Sequence, residues 1–160
     1  APYRILNEHE DILVFSKAGL AKNSKNRILY NPQGVRLLNK EVTGKSSNSL
    51  RRGRKKQKNY VQKYTNYPKS ILSFKNEARP RHPTQKPLLL YEYLTKTFSN
   101  EGDLVLDPCF GSANCILAAI NTSRNYIGFE IDTAYFEEAE ERIKNVSFAS
   151  RRLFGSNQHC

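Results

Sequence analysis

Apolar residues cluster near the start of the chain and in its second half, and thin out between. Ile12–Phe15 (ILVF) is a continuous apolar run that reads as a buried strand. From Ser16 to Arg81 the chain is polar and turn-rich, with NPQG (Asn31–Gly34) as a turn signal and GKSSNS (Gly44–Ser49) as a flexible loop. Tyr60, Tyr64 and Tyr67 recur at i, i+4 and i+7, a helical stripe that Pro68 would end. Such a stripe is more often core than a platform for stacking bases.

Regular patterning returns after His82. LLLYEYLTKTF (Leu88–Phe98) predicts a helix, with Pro87 suited to its first turn. Gly102 closes a turn, Leu104–Leu106 predicts a strand, and Ala113–Asn121 a helix of small residues. YIGFE (Tyr126–Glu130) predicts a second strand. Asp132 or Thr133 can cap a last helix, with Phe136, Ala139 and Ile143 on its inner face. Strand, helix and strand in so short a span form a βαβ crossover, which implies parallel strands with helices packed on them. The expected organisation is a core strand in 1–15, a basic region in 16–81, an α/β unit in 82–146 and a polar tail in 147–160.

Charge sharpens this division. The chain has 160 residues and a net charge of +11. Between Ser16 and Arg81 stand 18 Lys/Arg against 2 Asp/Glu, a net of +16, whereas the remainder is net −5. So uneven a field suggests a polyanionic partner, and nucleic acid is the usual one. Arg51, Arg52, Arg54, Lys55, Lys56 and Lys58 are its densest cluster and the expected phosphate contacts. No apolar run is long enough to span a membrane, and no signal peptide is visible. Three cysteines lack the spacing of a disulfide framework or a zinc site, so no metal is expected. Cys109 and Cys115 read as small apolar residues, and His9 and His82 as structural or positional.

The stretch LVLDPCFGSANCILAA (Leu104–Ala119) carries the chemistry. Ligands of open α/β sheets lie at the carboxyl ends of the strands. Asp107 and Glu130 end the two predicted strands, and both carboxylates are expected at that crevice. Glu130 follows Gly111 by 19 residues, the usual spacing for an acid that takes ribose hydroxyls. The G-x-G-x-x-G cradle is absent, and Asp107 would oppose a pyrophosphate. A nucleoside with a positive group therefore fits better. S-adenosylmethionine carries ribose, adenine, an ammonium and a sulfonium but no phosphate, and is favoured over NAD.

HPTQKP (His82–Pro87), GDLVLDPCFGSANCILAA (Gly102–Ala119), NYIGFEID (Asn125–Asp132) and AYFEEAEERI (Ala134–Ile143) resemble, in order, the motifs of the amino-group DNA methyltransferases. These enzymes methylate adenine at N6 or cytosine at N4 in bacteria and phages. The match is to the subgroup whose S-adenosylmethionine motifs follow the target-recognition region. NEHEDILVFSK (Asn7–Lys17) is similar to the strand that precedes that region. The resemblance implies a Rossmann-like S-adenosylmethionine-dependent methyltransferase fold, here partial, with 16–81 as a basic, irregular recognition insertion on double-stranded DNA. It implies a cytoplasmic protein of a bacterial or phage-infected cell. Thr84, Gln85 and Lys86 would wrap the methionine end of the cofactor. Asp107, Phe110, Gly111 and Ser112 would form the floor under it, Glu130 would hold the ribose, and Ile131 would touch the adenine. Adenine is the favoured target.

Two departures matter. The family often has a second glycine and a threonine pair after the first Gly-Ser, where this chain has Ala113, Asn114 and Cys115. The family's Asp/Asn/Ser-Pro-Pro-aromatic motif, which accepts hydrogen bonds from the target amine and stacks on the flipped base, has no counterpart. DPCF (Asp107–Phe110) belongs to the cofactor loop, and NYPK (Asn66–Lys69) has the wrong order. In this subgroup the motif is expected upstream of Ala1, so no catalytic residue is assigned within the chain. The expectation is the C-terminal portion of a methyltransferase, with the catalytic motif on an N-terminal segment or a second chain. The alternatives are half of a split enzyme and an inactive DNA-binding remnant.

Overall fold

The computed structural model describes residues 9–17, 27–42 and 59–154, and for 147–154 the backbone alone. The elements run β1 (Arg36–Val42), β2 (Tyr60–Thr65), α1 (Leu88–Phe98), β3 (Leu104–Asp107), α2 (Asn114–Asn121), β4 (Asn125–Gly128) and α3 (Thr133–Phe154). β3 and β4 pair in parallel, Leu104 opposite Asn125 through Asp107 opposite Gly128, with α2 as the crossover. The predicted βαβ unit is therefore present, and the chain is α/β.

The core is small and centred on α2. Ala113, Ile116, Leu117, Ala118 and Ala119 are buried, with Ala139 of α3 against them and Phe110, Ile120 and Ile143 packed around. Small side chains let helices and strands approach closely. Gly128 shows how closely: a Cβ there would lie 2.6 Å from Phe110 Cδ1 and 2.9 Å from Ile116 Cδ1. Asp132 caps α3, its Oδ1 accepting from the Ala134 and Tyr135 amides at 2.9 and 3.2 Å. The other side of β3 and β4 is bare. Leu104 and Leu106 are 60% exposed, and Ile127 and Phe129 are exposed beside them. Parallel sheets are normally covered on both faces.

Four expectations change. Ile12–Phe15 forms no strand: the segment lacks a sheet partner among the described residues, and all four side chains are exposed, Phe15 by 86%. An extended chain needs a neighbouring strand to satisfy its backbone. The tyrosine stripe is not helical either. Tyr60 and Tyr64 lie in β2, antiparallel to β1, opposite Val42 and Leu37. Tyr60, Val61, Tyr64 and Thr65 favour a strand, and cross-strand pairing outweighs an i, i+4, i+7 spacing. β4 stops at Gly128, so Glu130 sits two residues past the strand. Finally, α3 continues to Phe154, into the expected tail, because no Pro or Gly interrupts it before Gly155.

Part of the basic region is docked on the α/β unit. The Asn31 amide donates to Thr97 O at 2.7 Å, and its side chain donates to Ser99 O at 3.2 Å, which covers the end of α1. Tyr30 packs on Phe98 with ring centres 6.1 Å apart. The NPQG turn forms as expected. Gly34 takes φ +76°, and Asn66 Nδ2 closes the base of the β1–β2 ribbon by donating to Gly34 O at 2.7 Å.

Gly128→Ala should cost about 1–3 kcal/mol of stability, because Phe110 and Ile116 must yield to the new methyl. Urea unfolding measures it, and an unchanged midpoint would mean that the Phe110 loop gives way freely.

Candidate functional site

The carboxyl ends of β3 and β4 lead into two loops that are tied together. The Phe129 amide donates to Asp107 O at 2.9 Å, and the Phe110 amide to Phe129 O at 3.0 Å. Glu130 adds a third tie. Its Oε2 accepts from the Gly111 amide at 2.8 Å, and its Oε1 from the Ile131 and Asp132 amides at 2.8 and 3.0 Å. These amides, that of Asp132 first, hold the Glu130 carboxyl below its usual range, and His82 adds a smaller pull the same way. Three acceptor positions of the carboxylate are in use, and a carboxylate has about four. Oε2, with one amide on it, keeps room for a ligand hydroxyl.

Gly111 takes φ +49°, and His82 explains why the residue must also be small. A Cβ at Gly111 would meet the His82 ring at 3.2 Å. The ring is edge-on to Tyr135 of α3, centres 4.5 Å apart. Its Nδ1 accepts from the Thr84 amide at 3.3 Å, and the Thr84 hydroxyl lies 3.1 Å away. The HPTQKP loop therefore lies over the glycine turn.

Asp107 is half-buried at the end of β3. Its Oδ1 accepts from the Cys109 amide at 3.1 Å. Burial, then the Asp107 charge and a hydrogen bond to it, push the Cys115 thiol up to about 12. Burial and Asp107 likewise push the Tyr91 phenol up to about 12. Both groups stay protonated at neutral pH, and the cysteine is no thiolate nucleophile. Phe110 packs against Phe136, ring centres 5.9 Å apart, and Ser112 is buried. Ile131 is fully exposed beside Glu130, an uncovered apolar surface at the strand ends.

The HPTQKP side chains already have partners. Gln85 Oε1 accepts from the Arg81 amide at 2.8 Å, and its Nε2 donates to Glu77 at 2.5 Å. Lys86 pairs with Glu10 at 2.7 Å in an exposed salt bridge, which is worth little and is easily exchanged. Thr84, Gln85 and Lys86 line a cavity of about 760 Å³ with Glu10, Ile12 and Tyr91. Asp107, Gly111 and Glu130 are not among its lining residues, so the two expected halves of the site are adjacent but do not share this cavity.

Asn114 joins the halves, and sequence reasoning treated it only as a departure. Its side chain is buried. Nδ2 donates to Lys86 O at 2.8 Å and to Glu77 at 2.9 Å, and Oδ1 accepts from Arg142 at 3.0 Å. Arg142 also donates to Ser112 O. One amide thus connects the HPTQKP loop, the glycine turn and α3. The signal was a carboxamide in the first turn of a helix whose next six residues are small or apolar, which marks a buried polar group with obligatory partners. Arg51, Arg52, Arg54, Lys55, Lys56 and Lys58 lie outside the described residues.

Comparison with known proteins gives the family. A profile of the N6/N4 family, described as DNA methylase, matches residues 2–141. The chain belongs to this DNA methylase family. It is 33% identical over 140 residues to the type II methyltransferase M.HpaI of Haemophilus parainfluenzae, covering 84% of this chain and 38% of that protein. It is 32% identical over 146 residues to the type II methyltransferase M.HinfI of Haemophilus influenzae, covering 89% and 34%. The chain therefore spans little more than a third of these relatives. Among solved structures, the complex of M1.HpyAVI with SAM shares 32% identity over 52% of each chain, with a TM-score of 0.41. Membership makes the βαβ unit part of a Rossmann-like methyltransferase fold. Among the described residues, no helix is long and apolar enough to cross a membrane.

Because its pKa is lowered in the folded state, Glu130 contributes stability that is fully present above the ordinary carboxyl range and is lost as pH falls through the folded value. Glu130→Gln should therefore melt at a lower temperature than the parent at pH 7, with the gap closing in acid. Thermal melts of both proteins across that range measure it, and a gap independent of pH would contradict the role of the carboxylate.

Proposed function

We propose that the chain is the cofactor-binding and DNA-recognition portion of an S-adenosylmethionine-dependent DNA methyltransferase acting on an exocyclic amine, with adenine N6 favoured over cytosine N4. The observation that carries this is the pair of tied strand-end loops. They set an acidic ribose acceptor, Glu130, beside an exposed apolar surface, Ile131, over a turn with a single glycine and no phosphate cradle. Glu130 takes a ribose hydroxyl through the free position on Oε2, and Ile131 contacts the adenine. Gly111, Ser112 and Phe110 form the floor, with Asp107 beneath them. Lys86 exchanges Glu10 for the cofactor carboxylate, while Thr84 lines that end. Gln85, held by Arg81 and Glu77, shapes the loop. The bound cofactor supplies an activated methyl group, and the protein's part is to hold and orient it.

DNA is the proposed partner of the 16–81 region, where Arg51, Arg52, Arg54, Lys55, Lys56 and Lys58 contact phosphates. Such contacts supply affinity and register rather than sequence choice. The Asp-Pro-Pro-aromatic motif comes from a polypeptide outside these 160 residues, whether joined to this one or separate. Its absence from the sequence favours a second reading for the chain by itself, an inactive DNA-binding portion.

Calorimetry tests the cofactor site. The chain should bind S-adenosylmethionine or its demethylated product and not NAD. Glu130→Ala should weaken that binding roughly tenfold to a hundredfold, as expected when hydrogen bonds to a charged group are lost. Equal affinity in the variant would remove Glu130 from the site.

Transfer of labelled methyl groups to mixed-sequence duplex DNA separates the two readings. The chain alone should be inert, because the amine lone pair is delocalised and needs acceptors that orient it in a pocket for the flipped base. Supplying a segment with the Asp-Pro-Pro-aromatic motif should restore transfer. Incorporation by the chain alone would mean that the acceptors lie within it.

A further inference from the structure

The β1–β2 ribbon makes almost no contact with the α/β unit. Its strands pair with each other, and every residue in it is exposed or half-exposed. A two-stranded ribbon is marginally stable in water when nothing covers it. Its two faces differ in chemistry. Opposed residues share a face, so Leu37, Lys40 and Val42 of β1 lie with Tyr64, Gln62 and Tyr60 of β2. The register shift between Leu37 and Lys40, with Asn39 at φ +46°, puts Leu37 on that side. The other face carries Arg36, Glu41, Val61, Lys63 and Thr65. The first face holds Lys40 and no acid, and the ribbon's sole carboxylate, Glu41, is on the opposite side.

Resting on the DNA reading above, we propose that this ribbon enters the major groove of duplex DNA with its Lys40–Gln62 face toward the base edges, and is the element that selects sequence. The major groove is about 12 Å wide and admits a two-stranded ribbon. Charge supports this occupant. The ribbon itself carries three Lys/Arg to one Glu, and residues 43–59, which join its strands, have seven Lys/Arg and no acid in sequence. A protein interface of this kind would deplete lysine at its centre, whereas Lys40 sits opposite Gln62 at the middle of this face. Both are of types that read bases: lysine donates to guanine O6 and N7, and glutamine pairs with adenine N6 and N7, for which the Gln62 amide would exchange its bond to Tyr64 O at 3.1 Å. Tyr60 and Tyr64, 55% and 45% exposed, flank them as apolar surface for thymine methyls and sugars.

The test uses the full chain and a pool of randomised duplex DNA. A major-groove dye such as methyl green should displace the chain, and the minor-groove ligand netropsin should not. Lys40→Ala and Gln62→Ala should change the sequences enriched by binding, while the salt dependence shifts by no more than about one phosphate contact. Val61→Thr, on the far face, should leave enrichment unaltered. Binding that survives the dye, or enrichment unchanged in the Lys40→Ala/Gln62→Ala double variant, overturns the groove assignment and leaves DNA binding intact. A parent chain that binds no duplex at low salt overturns the DNA reading and the groove assignment with it. If Tyr60→Ser and Tyr64→Ser change the sedimentation of the chain but not its DNA selection, the ribbon is covered by protein and the proposal falls.

Discussion

The Glu130 carboxylate is the constraint on which the site depends. Two loops leave two parallel strands, and nothing in strand geometry requires them to meet. The Phe110 amide joins them by donating to Phe129 O, and Glu130 reinforces the tie by accepting the Gly111 amide on one side and the Ile131 and Asp132 amides on the other. The Gly111 turn is thereby fixed at positive φ, the His82 ring can lie against it, and the HPTQKP loop follows. The carboxylate orders both loops through bonds to the chain itself. Such preorganisation spares the entropy of ordering the loops on binding.

The buried polar network around Asn114 does for the far side of the site what Glu130 does for the near side. Lys86 O, Glu77 and Arg142 converge on one side chain inside a core of alanines. Burial of such a group without its partners would be costly. The network therefore specifies a single arrangement of loop and helix as well as stabilising it. Glu77, one of two acids in the basic region, is thereby a structural residue that anchors that region to the α/β unit.

The sequence was most legible where local pattern and tertiary role agree. α1 matches its predicted span, and β3, α2 and the start of α3 differ from theirs by a residue or so. Patterning failed where a neighbour decides. Ile12–Phe15 has the composition of a strand but no sheet partner among the described residues, and Tyr60 and Tyr64 have helical spacing with Tyr67 but a strand opposite them. Gln85 and Lys86 lie in a loop ahead of α1, but their bonds to Glu77 and Glu10 come from positions 8 and 76 residues away.

The sequence by itself determined the βαβ unit, the uneven charge and the order of motifs that marks the family. Each is written in short windows: apolar periodicity, the distribution of Lys and Arg, and a lone glycine followed at 19 residues by an acid. Only the tertiary structure decided which polar groups bind the chain itself. It turned Asp107 toward Cys115 and Tyr91, gave Asn114 three partners, and paired the tyrosine strand with Arg36–Val42. The physical reason is that a hydrogen bond or a strand pair is a relation between residues distant in sequence, and its partner is set by packing rather than by local spacing.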